Sequence, residues 1–369
     1  YMTTRNSNTK IVVMSATFNA SLFVNYFKQA LPLATEVPEM YIGVKRYPVD
    51  VVYLDELRNF KLFSKQSTFR SMKSKITSSC TSFTGNSKAG IMANLLSYVD
   101  TMILALAKHH SKDPEGNAIL VFLPGIAEIE SLEELLLKHV ITFEGDEEPK
   151  TNTPTIEIFI LHSLIEDQNS VFRPIASGTT RVVLATNIAE SSVTLPMIRY
   201  VFDFGLARQI EFDKKAGYSA LRTTWISRAS AKQRSGRCGR LFPGTAFRMY
   251  PKSFHDKQFE EYDVPEMLRL TLSATILKLK CKSENVDEAS PFHDPRSCLR
   301  NALQPPNSDD IDYSVIDLLK NSVLRRLDAS AVPDESLDDL VELELSHSTG
   351  QVTGDFDSLR LTKVTNLGK

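Results

Sequence analysis

Residues 181–192 read RVVLATNIAESS, and the change of character halfway along decides the fold. RVVLA (181–185) is apolar on both faces, as in a strand buried from above and below. The next residues, Thr186, Asn187, Ile188, Ala189, Glu190, Ser191 and Ser192, are mostly small and carry hydroxyl or amide groups. Runs like RVVLA recur at IVVM (11–14), VVYL (51–54), AILVFL (118–123), IEIFIL (156–161) and YVFDF (200–204). Between them, Ile91, Leu95, Tyr98, Met102 and Ala105 share one helical face, and Ile129, Leu132 and Leu136 share another. Strands apolar on both faces that alternate with helices form a parallel α/β sheet covered on both sides. The pattern predicts such a sheet from about residue 90 to 250.

In a parallel sheet, ligands sit beyond the carboxyl ends of the strands. There the sequence places Pro124 and Gly125 after AILVFL, His162 and Ser163 after IEIFIL, and Thr186 and Asn187 after RVVLA. Bare backbone, hydroxyls and an amide can hydrogen-bond phosphate oxygens, so several such strand ends suggest a polyanionic strand laid across the sheet edge. Each residue alone could equally be the N-cap of the helix that follows.

A second stretch, QRSGRCGR (233–240), puts three arginines and two glycines into eight positions. As a helix it would carry Gln233, Arg237 and Arg240 on one stripe, with Arg234 off it and suited to a carboxylate partner. Two interior glycines weaken a helix by about 1 kcal/mol each, but they let a backbone or ligand come close. Two guanidiniums and an amide on one face fit the charge that develops on a transferring phosphoryl group. The competing reading is a basic surface that meets solvent or nucleic-acid phosphate.

The rest of the chain sets limits. Its 369 residues allow two or three domains, and a formal net charge of -2 confines any basic site to a local feature. The cysteines Cys80, Cys238, Cys281 and Cys298 form no CxxC pair, which speaks against a zinc site and for a reducing compartment, cytosol or nucleus. No signal peptide opens the chain and no apolar run is long enough to span a bilayer, so no membrane is expected. Residues 62–89, rich in Ser, Thr and Lys, show no strand or helix period and are expected to be a loop or insertion; EGDEEPKTNTP (144–154) is a second polar break. DVPEMLRLTLSATILKLK (263–280) predicts a helix starting at Pro265 with Met267, Leu270, Ala274 and Leu277 on one stripe. A second helical run at 313–327, then LVELEL (340–345) and SLRLTKV (358–364), suggest a small, mostly helical, winged-helix-like domain.

Taken in order, MSAT (14–17), VFLPG (121–125), LHSLIEDQ (161–168), VVLATNIAESSVTLP (182–196) and SAKQRSGRCGR (230–240) resemble motifs III, IV, IVa, V and VI of the DEAH-box RNA helicases of superfamily 2. Within that family, VPEMLRLTLSATILKLK is most similar to the Spindle-E type of tudor-domain-containing helicases, which act in piRNA silencing. The resemblance covers residues 11 to about 280 and implies a P-loop NTPase fold. It assigns 1–55 to the end of a first RecA-like domain, 56–90 to a polar insertion, 91–260 to the second RecA-like domain and 261–369 to a winged-helix-like region. It implies ATP, Mg²⁺ and single-stranded RNA as ligands, with protein activators or ribonucleoprotein components as partners. By motif position, Gln233, Arg237 and Arg240 would face the γ-phosphate, Phe172 would stack on adenine, and Asp203 would lie near the nucleotide. Gly125, His162, Ser163, Thr186 and Asn187 would hold RNA, and Ser15, Ala16 and Thr17 would couple hydrolysis to strand movement. FDKKAGYSAL (212–221) falls where relatives carry a strand-separating β-hairpin.

The departures matter as much. Neither a GxxxxGK[ST] loop nor a DE-x-H box occurs in the sequence. Those elements hold the phosphates and Mg²⁺ in relatives. They are expected upstream of Tyr1, and without them this chain should not hydrolyse ATP. A non-catalytic RNA-binding scaffold derived from a helicase is the alternative reading. An unrelated phosphotransferase would need a nucleophile and metal set that the sequence lacks.

Overall fold

In this computed structural model the described residues are 11–14, 19–30, 37–42, 47–60, 63, 76–84, 87–111, 117–141, 155–163, 165, 169–191, 195–214, 216–283, 294–326 and 362–364. They fall into two compact units, residues 1–19, 40–209 and 221–263 in one, and residues 20–39, 210–220 and 264–369 in the other.

The first unit is built on six strands: β1 (Val49–Tyr53), β2 (Asn117–Phe122), β3 (Thr155–Leu161), β4 (Thr179–Ala185), β5 (Ile198–Asp203) and, later in the chain, β8 (Gly244–Arg248). Their order is β1-β8-β5-β2-β4-β3, and every neighbouring pair is parallel. Helices α1 (Ala93–His110) and α2 (Ile126–Ile141) and the short turns α3 (Ile188–Ser191), α4 (Arg228–Ser235) and α5 (Lys252–Gln258) connect and cover the strands. Because side chains alternate along a strand, β2 and β4 divide cleanly between two cores. Ile119, Val121, Val182 and Leu184 pack on one face with Leu95, Tyr98 and Met102 of α1 and Ile129, Leu132 and Leu136 of α2. Ala118, Leu120, Val183 and Ala185 pack on the other with Val171, Ala189 and Leu195. This is the doubly covered parallel sheet that the alternating pattern predicts.

Three expectations are corrected here. Strand β1 lies inside the stretch assigned to a preceding domain (1–55), yet it pairs with β8, Val49 opposite Gly244 through Tyr53 opposite Arg248, and so belongs to this sheet. Within the supposed insertion, residues 76–81 are helical; Ile76 is buried in the same core as Leu54, Leu57 and Phe63, so a few apolar residues anchor a segment whose composition is polar. The run IVVM (11–14) forms no strand: Val12 and Met14 are 75% and 85% exposed, with no strand recorded beside them. Residues 144–154 lie outside the described residues.

In the second unit, α6 (Ser273–Ser283), α7 (Pro295–Arg300) and α8 (Ser308–Lys320) enclose a small core of Leu272, Ile276, Leu299, Ile311, Val315 and Leu318. β9 (Leu324–Arg326) pairs antiparallel with β10 (Thr362–Val364). The helix predicted from Pro265 is interrupted, because Glu266–Leu268 forms a 3-10 turn and α6 starts only at Ser273. That break resets the register, so Leu272, Ile276 and Lys280 are buried and Ala274 is exposed. The run at 313–327 also divides: α8 stops at Lys320, Ser322 turns with φ 55, and the chain leaves as β9. LVELEL lies outside the described residues.

Leu206–Asp213 (β6) and Tyr218–Trp225 (β7) pair as a two-stranded sheet, the expected hairpin, with Gly217 at φ +71 in its turn. Residues 210–220, its tip, belong to the second unit. The Phe212 N–H donates to the Arg269 carbonyl at 2.9 Å, the Phe212 ring lies 5.5 Å from that of Tyr313, and Lys214 pairs with Asp310.

Candidate functional site

The sheet ends on one row. Leu161, Ala185, Phe122, Asp203, Arg248 and Tyr53 lie opposite one another across β3, β4, β2, β5, β8 and β1. Main-chain bonds continue one residue past the row: Leu123 N–H to Ala185 O at 2.8 Å, Thr186 N–H to Leu161 O at 3.3 Å, and Met249 N–H to Asp203 O at 2.9 Å. The positions just beyond are therefore set by the sheet rather than by loop conformation, which is what a binding edge requires.

On the β3–β4 side of this edge, Ser163 and Asn187 are exposed, His162 is half-buried and Thr186 is 8% exposed. The structure thus brings four of the five residues expected to hold RNA to one rim. Gly125 differs. It is buried, and a Cβ there would lie 2.3 Å from the Arg208 guanidinium, which rests over it and pairs with Glu128 at 3.1 Å. Its bare backbone leaves room for the Arg208 guanidinium.

Phe172 closes a 3-10 turn (Asn169–Phe172) and is 45% exposed, a large aromatic surface on an otherwise polar loop. The turn is held from beneath by Arg181 of β4, which is 3% exposed. Its guanidinium donates to the carbonyls of Val171 at 2.8 Å and Arg173 at 2.5 Å, pairs with Glu157 at 2.9 Å and lies 4.7 Å over the Phe159 ring. Sequence reasoning missed Arg181. A charged residue opening an otherwise apolar run (RVVLA, 181–185) was the available signal.

Around α4 the geometry departs from the expected stripe. Ser227 caps the helix by accepting the Ser230 N–H at 3.0 Å. The helix ends at Ser235, with Gly236 as its C-cap, so Gln233 lies on the helix while Arg237 and Arg240 follow in the turn. Gly239 takes φ +72, and a Cβ there would meet Val49 Cγ2 at 2.4 Å. This glycine admits β1, not a ligand. Gln233 and Arg240 are half-buried; Arg237 is 6% exposed and its guanidinium donates to the Glu190 carbonyl of α3.

Arg234 is 1% exposed and has two carboxylate partners. Nε reaches Glu190 at 3.1 Å and Nη1 reaches Asp203 at 2.8 Å, with the Leu206 carbonyl at 3.1 Å and the Phe122 ring 4.8 Å below. Burial opposes the guanidinium's charge, but Asp203 and Glu190 outweigh it and raise its pKa above the ordinary arginine value. Asp203, expected near the nucleotide, lies inside this buried network. It is 1% exposed, and its oxygens already accept from Arg234, from the Gly205 N–H at 2.9 Å and from Tyr250 at 3.4 Å. Burial and Asp203's charge in turn push the Tyr250 phenol well above its usual range. Cys238 is buried beside this network, its thiol pushed up to about 12 by burial, so it is no nucleophile. Ser15, Ala16, Thr17 and Ser192 lie outside the described residues.

The edge therefore carries an exposed hydroxyl-and-amide rim beside a buried ionic lattice, to which Arg237 is bonded through the Glu190 carbonyl. Residues 99–242 match the helicase conserved C-terminal domain. The chain is 34% identical over 322 residues to the ATP-dependent RNA helicase TDRD9 of Danio rerio, covering 84% of this chain and 22% of that protein. It is 32% identical over 323 residues to the probable ATP-dependent RNA helicase spindle-E of Anopheles gambiae, covering 86% of this chain and 20% of the relative. It thus spans about a fifth of the length of these relatives. Among solved structures, the DExH-box NTPase HrpB of E. coli shares the fold at a TM-score of 0.55 and 23% identity, over 88% of this chain and 32% of that one. The chain thus contains a match to the helicase conserved C-terminal domain and is similar in sequence to the ATP-dependent RNA helicase TDRD9 and the probable ATP-dependent RNA helicase spindle-E.

Proposed function

We propose that this chain supplies the second RecA-like domain (91–260, with β1) and a winged-helix-like region (261–369) of an ATP-dependent RNA helicase. Single-stranded RNA would lie along the β3–β4 rim, its backbone held by Thr186, Asn187, His162 and Ser163. ATP would bind with Phe172 on the base and Gln233, Arg237 and Arg240 toward the γ-phosphate. The observation that carries this reading is that α3 links the two groups. Asn187 accepts the Glu190 N–H at 2.9 Å, and the Glu190 carbonyl holds Arg237. A change in how RNA grips Asn187 then has a route of two residues to the arginine.

The edge does not fit Mg²⁺. Glu190 and Asp203 are engaged with Arg234, and no group of three His, Cys, Asp or Glu side chains able to hold a metal occurs among the described residues. The hairpin β6–β7, fixed at its tip by Arg269, Tyr313 and Asp310, is suited to part strands because a wedge must be rigid.

The test is ATP turnover by the intact protein with and without RNA. RNA-stimulated turnover that Arg237→Ala reduces by about 10³-fold or more, with RNA binding kept, supports the reading. RNA binding with no turnover in the wild type would instead favour the scaffold.

A further inference from the structure

Glu190 holds three groups at once. One carboxylate oxygen accepts from Arg234 Nε at 3.1 Å, the other accepts from the Ser230 hydroxyl, and its main-chain carbonyl accepts from the Arg237 guanidinium. Ser230 and Arg234 are one helical turn apart on α4, so the two side-chain bonds clamp α3 to the buried face of that helix. The clamp fixes the carbonyl, and the carbonyl fixes Arg237 in a place where only 6% of it is exposed. In this arrangement the arginine is stored. A guanidinium bonded to a backbone carbonyl and covered by protein must exchange that oxygen for an anion before it can meet a phosphate.

The same short turn ends in the RNA rim. The Ala189 N–H donates to Thr186 O at 3.2 Å and the Glu190 N–H to Asn187 O at 2.9 Å, so these residues move as one piece. We propose that Glu190 is the positioning residue that converts RNA engagement at Thr186–Asn187 into release of Arg237 toward the triphosphate. This rests on the function proposed above and names the regulation of that site. RNA drawing on the Thr186–Asn187 end tilts α3 about the Ser230–Arg234 clamp, and the carbonyl withdraws from Arg237. Without the clamp, α3 moves but its motion no longer reaches the arginine.

The experiment uses the intact protein, at a temperature well below its melting point, and reads the ratio of ATP turnover with saturating RNA to turnover without it. Glu190→Gln loses the charge that holds Arg234 and can keep the Ser230 arm only as a reversed, neutral bond from its amide N–H; it is expected to reduce that ratio by about 10-fold or more, with the ATP KM and RNA Kd within about 3-fold of wild type. Asp203→Asn is the control, because it removes the other carboxylate from Arg234 but leaves the clamp. It should lower the melting temperature while the ratio stays within about 2-fold of wild type. Should Glu190→Gln fail to fold, Ser230→Ala removes one arm of the clamp and is expected to reduce the ratio by about 3-fold. A ratio unchanged in Glu190→Gln (or in Ser230→Ala), or equally reduced in Asp203→Asn, overturns the proposal. If Arg237→Ala turns over ATP like the wild type, the function reading fails instead, so the two failures are distinguishable.

Discussion

Two polar regions share the carboxyl end of this sheet, and they are opposites in burial. Under α4, Arg234, Asp203, Glu190 and Ser230 satisfy one another at 1% to 14% side-chain exposure for the three charged groups. On the β3–β4 rim, Ser163 and Asn187 face solvent and His162 is half-covered. The contrast separates two uses of polarity. A buried charge is tolerated only with partners, so the lattice holds structure. Polar groups on a rim whose backbone is fixed by the sheet are available to a ligand. Substitutions in the lattice should therefore act on stability first, and substitutions on the rim on binding.

The lattice should give the largest effect. Arg234→Met leaves the Asp203 and Glu190 carboxylates buried without their cation, and is expected to cost about 3–5 kcal/mol in denaturant unfolding. A loss below about 1 kcal/mol would mean the lattice does not hold the fold together.

Gly239 comes next. Gly239→Ala adds a methyl 2.4 Å from Val49 Cγ2 at φ +72, whereas Gly217→Ala meets nothing within 4 Å at φ +71. Both carry the left-handed strain of about 1 kcal/mol, and Gly239→Ala should exceed Gly217→Ala by about 1–2 kcal/mol because β1 must move. Equal losses would show that β1 is not seated against this turn.

The smallest effect is expected from pH. His255 is buried beside Arg248 and Tyr53; burial lowers its pKa, Arg248 adds to this, and the bond to Asp256 only partly opposes it. The folded protein thus keeps the imidazole neutral where the unfolded chain, with a pKa of about 6.5, takes a proton. Stability should fall as pH drops below about 6.5 and level off below the lowered folded value. Unfolding midpoints at several pH values, compared with those of His255→Gln, test this; an identical slope in the variant would assign the effect elsewhere.

Much of this was legible in the sequence. Five of the six sheet strands announce themselves as apolar runs, and α1 and α2 bury the faces their spacing predicts. β8 did not. GTAFR holds only two apolar residues in sequence, yet all five positions are buried, because a central strand hides a threonine and an arginine once their neighbours supply partners. The geometry around QRSGRCGR was not legible in the sequence. The arginines of QRSGRCGR were placed on a helix that stops at Ser235, since a left-handed Gly239 and its contact with Val49 are long-range facts. Asp203 looked like a ligand because sequence position cannot show that Arg234, Gly205 and Tyr250 already occupy it.

The central claim is that rim and arginine do different work on one edge, and one paired measurement tests it. In the intact protein, RNA affinity and ATP turnover at saturating RNA are measured for Asn187→Ala and Arg237→Ala. Asn187→Ala is expected to weaken RNA binding by about 5–10-fold, one lost hydrogen bond, with turnover at saturation kept within about 2-fold because Thr186 still engages RNA and the main-chain bonds from 186 and 187 to α3 are kept. Arg237→Ala is expected to do the reverse. If each variant lost both properties in the same proportion, the division of labour would be contradicted, and the whole edge would be a single basic surface.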